Sequence, residues 1–265
     1  MTTTSDESVQ LSYQQYGQGE PLILITGFAA GAWIWFRQTE SLSKHFRTIT
    51  FDPPGIGKSE FRERPAQMRL LADDIANLMR ELRIERAHIL GASFGGFVAQ
   101  EFALNYPELT RTLTLSCTSF GGPNHVLPAA EVLIALASTD DFNTEARVRR
   151  NLLPAFSPEF ARDHPECVDH VIQMRMANSV DERAYRWQIT AAMSFNADGR
   201  VPDIRAPTLV ISGDADSVVP PQNSRNLVRQ IPGAELVMIK GGSHLFFIEQ
   251  ADEFNSAVTD FLNRN

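Results

Sequence analysis

A chain of 265 residues with 43% apolar side chains is long enough to bury one large α/β core or two small ones without a metal or disulfide staple. Its formal net charge of −8, with no run of Lys and Arg, leaves nothing to neutralise phosphates and argues against a nucleic-acid or anionic-membrane partner. Cys117 and Cys167 make neither a disulfide framework nor a metal-ligand spacing and are expected to be reduced structural thiols, while the lack of a basic-then-apolar leader and of any apolar run near the ~20 residues of a membrane span gives a soluble, cytoplasmic protein as the expectation.

Residues 9–16 and 22–27 read as strands, and Gly17-Gln18-Gly19-Glu20 between them reads as a hairpin turn. A further short strand covers 47–51. Apolar residues at 70, 71, 75, 78, 79 and 82 give helical spacing over 69–82, with Asp73 and Asp74 on the polar side. Residues 87–90 form a short apolar strand, 95–106 a helix ended by Pro107, and 112–117 the next strand. From 121 to about 200 strand signals vanish, and helix-length pieces are separated by Pro154, Pro158 and Pro165. The strand–helix rhythm then resumes with a strand at 208–212, a helix at 221–231, a strand at 236–239 and a last helix at 249–262. Such alternation predicts an α/β fold with a mostly parallel sheet covered on both faces. The core spans 1–120 and 201–265, and 121–200 forms a helical cap inserted before the strand at 208.

One pentapeptide carries chemistry. Gly91-Ala92-Ser93-Phe94-Gly95 follows a predicted strand and opens a predicted helix. A serine on so sharp a turn needs small neighbours two residues away on each side, and its hydroxyl then projects at the sheet end where α/β folds keep their sites. A serine hydroxyl is a weak nucleophile and needs a base, which in turn needs an orienting acid. Among six histidines, His88 lies in an apolar strand and reads as a core residue. His45 ends a surface helix, and His125, His164 and His170 lie in the helical insertion, with His125 within reach of a pocket. His244, in Lys240-Gly241-Gly242-Ser243-His244 after the last strand, is the expected base. The acid is expected in the loop that follows 208–212, where Asp214 suits a turn and Asp216, further out, suits a histidine partner. Asp216 is preferred, and the order Ser93, Asp216, His244 is nucleophile, acid, base.

With these motifs the sequence resembles the α/β-hydrolase superfamily over essentially its whole length. The likeness rests on the elbow at 91–95, a G-x-x-D loop at Gly213 to Asp216 followed by Pro220, and His244. Thr26-Gly27-Phe28 matches the family's H-G-x loop with threonine in place of histidine, and Trp35 is retained eight residues on. The resemblance implies an oxyanion hole made of the backbone N–H groups of Phe28 and Phe94. Asp52-Pro53-Pro54-Gly55-Ile56-Gly57-Lys58-Ser59 is similar to the family's D-x-x-G-x-G-x-S segment. Its tail also suggests a phosphate-binding loop, but Asp52 stands where that motif needs glycine, so a structural turn near the pocket is expected.

The expected function is hydrolysis of a carboxylic ester or lactone through an acyl-enzyme on Ser93, with neither metal nor organic cofactor. Carbon–carbon hydrolysis of ring-cleavage diketones, cofactor-free perhydrolysis and a receptor-like ligand-binding role are the alternatives. Leu245 after His244, where carbon–carbon hydrolases carry tryptophan, lowers the first. A small apolar substrate is implied, with Trp33, His125, Met174, Trp187, Phe195 and Leu245 as the candidate pocket residues.

Overall fold

The computed structural model describes residues 9–137, 141 and 143–265. The N-terminal stretch 1–8, expected to carry no leader, and residues 138–140 and 142, within the stretch expected to form a cap, lie outside the described residues. Seven strands, β1 (Tyr13–Tyr16), β2 (Pro21–Ile25), β3 (Arg47–Phe51), β4 (Ala87–Ala92), β5 (Thr110–Ser116), β6 (Thr208–Gly213) and β7 (Glu235–Ile239), form one sheet in the order β1-β3-β2-β4-β5-β6-β7. Every neighbouring pair is parallel except β1 with β3. The expected α/β architecture with a mostly parallel sheet is therefore present.

Strand side chains alternate between two cores, because successive Cβ atoms point to opposite faces. Ile23, Ile25, Ile49, Ile89, Leu113 and Val210 pack beneath α2 (Met68–Glu81), α3 (Phe94–Asn105) and α9 (Gln222–Gln230). Leu22, Leu24, Leu90, Leu209 and Ile211 face α1 (Phe36–Leu42), α10 (Phe246–Glu249) and α11 (Ala251–Arg264). Both faces are apolar, which is why the strands read as continuous hydrophobic runs.

Two expectations need correction. Gly17 to Glu20 is not a hairpin turn, since β1 pairs with β3 and β3 lies between β1 and β2. The turn crosses the connection between α1 and β3 instead. A Cβ on Gly17, whose φ is +70°, would fall 2.0 Å from the Ser43 carbonyl oxygen. Asp74 is not on the polar face of α2. It is buried: its Oδ1 accepts from Arg64 Nη1 at 2.9 Å and from the Val9 N–H at 3.3 Å, and its Oδ2 accepts from Arg64 Nη2, which together satisfy its carboxylate. Asp73 does lie outward, paired with Arg69 at 2.6 Å.

Between β5 and β6 the described chain is helical: α4 (Ala130–Ala137), α5 (Glu145–Leu152), α6 (Pro158–Asp163), α7 (Pro165–Ala177) and α8 (Glu182–Ser194). This segment is tied down at residues 179–181, where Gly57 N–H donates to Ser179 O and Asp181 N–H to Gly55 O, both at 2.8 Å. The Asp52–Ser59 stretch is thus the structural turn expected of it. Among the described residues no helix is long and apolar enough to cross a membrane.

His88, fully buried on β4, bonds Thr112 Oγ1 at 2.9 Å and Glu20 at 3.2 Å through its two ring nitrogens. Burial lowers its pKa from the ordinary 6.5; Glu20 opposes that shift, and Arg111 and Arg86 reinforce it. The unfolded chain therefore takes up a proton that the fold excludes, and stability falls as pH drops below 6.5 towards the folded value. Urea unfolding between pH 7.5 and pH 5 should show this loss, and His88→Gln should show a smaller one.

Candidate active site

Ser93 sits where β4 gives way to α3, with φ 54° and ψ −119°. That left-handed conformation is costly for a residue with a Cβ and persists only where its surroundings enforce it. Here the Ser93 N–H donates to Ser116 O at 2.9 Å, and its carbonyl accepts from Gly96 N–H and Thr118 Oγ1 at 2.8 Å each. The flanking glycines permit the turn. A Cβ on Gly91 would lie 2.2 Å from Gly95 O, and one on Gly95 would lie 2.3 Å from Ile25 O and 2.5 Å from Thr26 O. The sheet order sends the chain in opposite directions from β2 and β4, so their C-terminal ends open a crevice, the usual ligand position in such sheets.

Two further loops close on this crevice. Asp216, after β6, is buried, with its side chain fully out of solvent. Its Oδ1 accepts from the Val218 and Val219 N–H groups at 2.8 Å each, and its Oδ2 lies 2.8 Å from His244 Nδ1. Asp214 points elsewhere: it is exposed and accepts from Gly241 N–H at 2.7 Å, bracing the loop that carries His244. That loop is held from its other side by the helical segment, because Leu245 N–H and Ser243 Oγ both donate to Ala155 O, at 2.9 and 2.8 Å. Cys117, fully buried, brings its Sγ within 4.8 Å of Asp216 and His244. Burial, and secondarily the Asp216 charge, push this thiol's pKa up, so it stays protonated at neutral pH.

The loop after β2 completes the crevice. Thr26 Oγ1 donates to Ala30 O at 2.8 Å, so the threonine ties the loop to itself where the resembling family has histidine. Asp52 Oδ1 accepts from Ala32 N–H at 2.9 Å. The N–H groups of Phe28 and Phe94 donate to no other group among the described residues. Their rings meet edge to face with centroids 6.3 Å apart.

A cavity of about 850 Å³ opens over these groups, lined by Ser93, His244, Phe28 and Phe94. Of the residues expected to line it, Trp33, His125, Phe195 and Leu245 do so, and Met174 and Trp187 do not. Trp187 turns away into the core, where its indole N–H donates to Arg64 O at 2.9 Å and Pro65 O at 3.0 Å, and Arg64 lies over its ring. Met174 is half-buried on α7, whose Val171, Ile172 and Arg175 turn inward instead. Sequence reasoning missed the polar wall residues Arg150, Asn151, Arg175 and Asn223. Polar residues on short helices read as solvent-facing, and only the tertiary fold turns them towards a cavity. His88 is in the core as expected, while His164 and His170 are exposed and lie off the cavity wall.

Residues 20–251 match the model of the alpha/beta hydrolase fold family. The chain is 31% identical to a poly(3-hydroxyalkanoate) depolymerase of Ectopseudomonas oleovorans over 92% of its own length and 84% of that protein's. It superposes on a thermophilic esterase from Thermogutta terrifontis with a TM-score of 0.86, at 26% identity, covering 99% of this chain and 96% of the other. An enol-lactonase from Burkholderia xenovorans LB400 gives 0.87, also at 26% identity, covering 96% and 97%. This chain belongs to the alpha/beta hydrolase fold family, and its relatives make it a hydrolase.

The contact of Gly95 with two backbone carbonyls gives a stability prediction. Gly95→Ala has no flexible side chain to displace and should cost about 3 kcal/mol, the upper end of overpacking penalties, in urea unfolding.

Proposed function

We propose that this protein is a serine hydrolase that cleaves a carboxylic ester or lactone bearing a large apolar group, through a Ser93, His244, Asp216 triad. The observation that carries this reading is the 2.8 Å contact between His244 Nδ1 and Asp216 Oδ2, beside a cavity that His244 and Ser93 both line. Asp216 keeps its carboxylate oriented with two backbone donors, so Nδ1 of His244 carries the proton and Nε2 is left as the base. His244 takes the Ser93 proton as Oγ attacks the carbonyl carbon. The Phe28 and Phe94 N–H groups, which have no other acceptor among the described residues, receive the developing oxyanion. His244 then protonates the leaving oxygen, and water, activated by the same base, releases the acid.

The substrate class follows from the cavity. At about 30 Å³ per water-sized group, 850 Å³ holds on the order of 25 such groups, far more than a short ester needs. Ile34, Phe97, Val148, Leu152, Ile189 and Phe195 supply apolar wall. At its edge Leu127 is 57% exposed and Met193 82%. In this reading residues 121–200 serve as the cap that shapes the pocket. The ester-cleaving and lactone-cleaving relatives favour acyl transfer from oxygen as the reaction.

Hydrolysis of p-nitrophenyl esters tests the assignment. Ser93→Ala should abolish turnover, and Asp216→Asn should lower kcat about 10⁴-fold, as expected when an imidazole loses its orienting acid. Asp214→Asn should stay within a few-fold; a large loss only at Asp214 would overturn the choice of acid. In a chain-length series the octanoate and decanoate should exceed the acetate in kcat/KM by at least about tenfold, since each buried methylene contributes about 0.8 kcal/mol.

A further inference from the structure

Gln188 is a buried polar side chain on α8, 2% exposed, and it reaches out of the helical segment to the loop after β2. Its Oε1 accepts from the Ala29 N–H at 2.9 Å, across 159 residues of sequence. The donor is a backbone N–H, so the atom that meets it must be the amide oxygen. Ala29 is the strained residue of that loop, with φ +51°. An alanine holds this left-handed conformation only when its surroundings over-determine it. Besides the turn bond from Ala30 N–H to Gly27 O at 3.4 Å, three side-chain hydrogen bonds among the described residues hold the loop: Thr26 Oγ1 on Ala30 O, Ala32 N–H on Asp52, and Ala29 N–H on Gln188. Of these side-chain bonds, the first two grip the residues that follow, and the one from Gln188 grips Ala29 itself, next to the N–H of Phe28.

We propose that Gln188 is a positioning residue: by holding Ala29 in its left-handed conformation it keeps the Phe28 N–H directed at the oxyanion formed on Ser93. The proposal rests on the serine-hydrolase reading above. It also links substrate fit to the rate of the chemical step. The helix that carries Gln188 presents Tyr185, Ile189, Ala192 and Met193 to the cavity, and Tyr185 packs edge to face on Phe28 at 4.8 Å. An apolar group that fills the cavity braces the same helix that holds the loop. Contact energy far from the reacting carbonyl is then expressed in kcat more than in KM.

Gln188→Leu removes the acceptor, whereas Gln188→Glu keeps an acceptor oxygen whether ionised or protonated. Both should be assayed with p-nitrophenyl octanoate beside Ser93→Ala, the rates of the Gln188 variants normalised to sites titrated by a fluorophosphonate so that any misfolded fraction is excluded, and that of Ser93→Ala to protein concentration. An aliphatic trifluoromethyl ketone, which forms an anionic tetrahedral adduct on a serine, supplies a second readout. For Gln188→Leu, kcat should fall about 10- to 100-fold, as expected for a donor displaced by a fraction of an ångström to an ångström. KM should stay within about threefold, and the ketone's Ki should rise in step with the loss in kcat/KM. Gln188→Glu should recover most of the rate and of the ketone affinity. An inactive Ser93→Ala combined with unchanged kcat and Ki in Gln188→Leu would overturn the role of Gln188 and leave the serine reading intact. So would a loss confined to KM. An active Ser93→Ala would overturn both.

Discussion

The ends of β2 and β4 approach so closely that the first turn of α3 lies against bare backbone. Gly95 abuts the carbonyls of Ile25 and Thr26, and Gly91 abuts the carbonyl of Gly95. There is room there for no side chain at all. Given that contact, the chain can enter α3 only through a sharp turn, and Ser93 at its apex takes φ 54°. The same closeness brings the loop after β2 alongside the start of α3, so Phe28 and Phe94 share one cavity wall with Ser93. Local strain is maintained by many packed neighbours, as is usual where a fold keeps a reactive group in an unfavourable conformation.

The remaining groups are assembled on this framework from two loops and one helix. Besides the Asp214–Gly241 brace, the loop of Asp216 and the loop of His244 are joined by a charge-assisted contact out of water, where such contacts are strongest. The helical segment contributes more than a roof. Ala155 O receives two donors from the His244 loop, and Gln188 receives the N–H of Ala29. The His244 loop and the loop after β2 are therefore fastened to the segment that also lines the cavity. In the proposed mechanism the transition state and the acyl pocket share one scaffold.

Much of the core was legible in the sequence because its signals are local. Short apolar runs separated by helical periodicity give the parallel sheet, and Arg47–Phe51 was delimited to the residue. The pentapeptide around Ser93 announces its turn through two glycines, and the spacing of Asp214 and Asp216 favoured the residue that does meet His244. What escaped depends on contacts far apart in sequence. The turn at 17–20 looks like a hairpin because nothing in its own residues records that β3 will lie between its strands. Asp74 looks exposed until Arg64 and Val9 supply its partners. Trp187 has the size and position of a pocket residue, and only the two carbonyls at 64 and 65 draw it into the core. Gln188 carries no motif; its meaning lies in a backbone N–H 159 residues away.

The central claim is that Ser93 is the nucleophile in the crevice between β2 and β4. Labelling with a fluorophosphonate followed by peptide mass spectrometry tests it most directly. One adduct per chain should form, on Ser93, with activity lost in proportion to its occupancy. Full inactivation with Ser93 unmodified, or full modification of Ser93 with activity retained, would contradict the account.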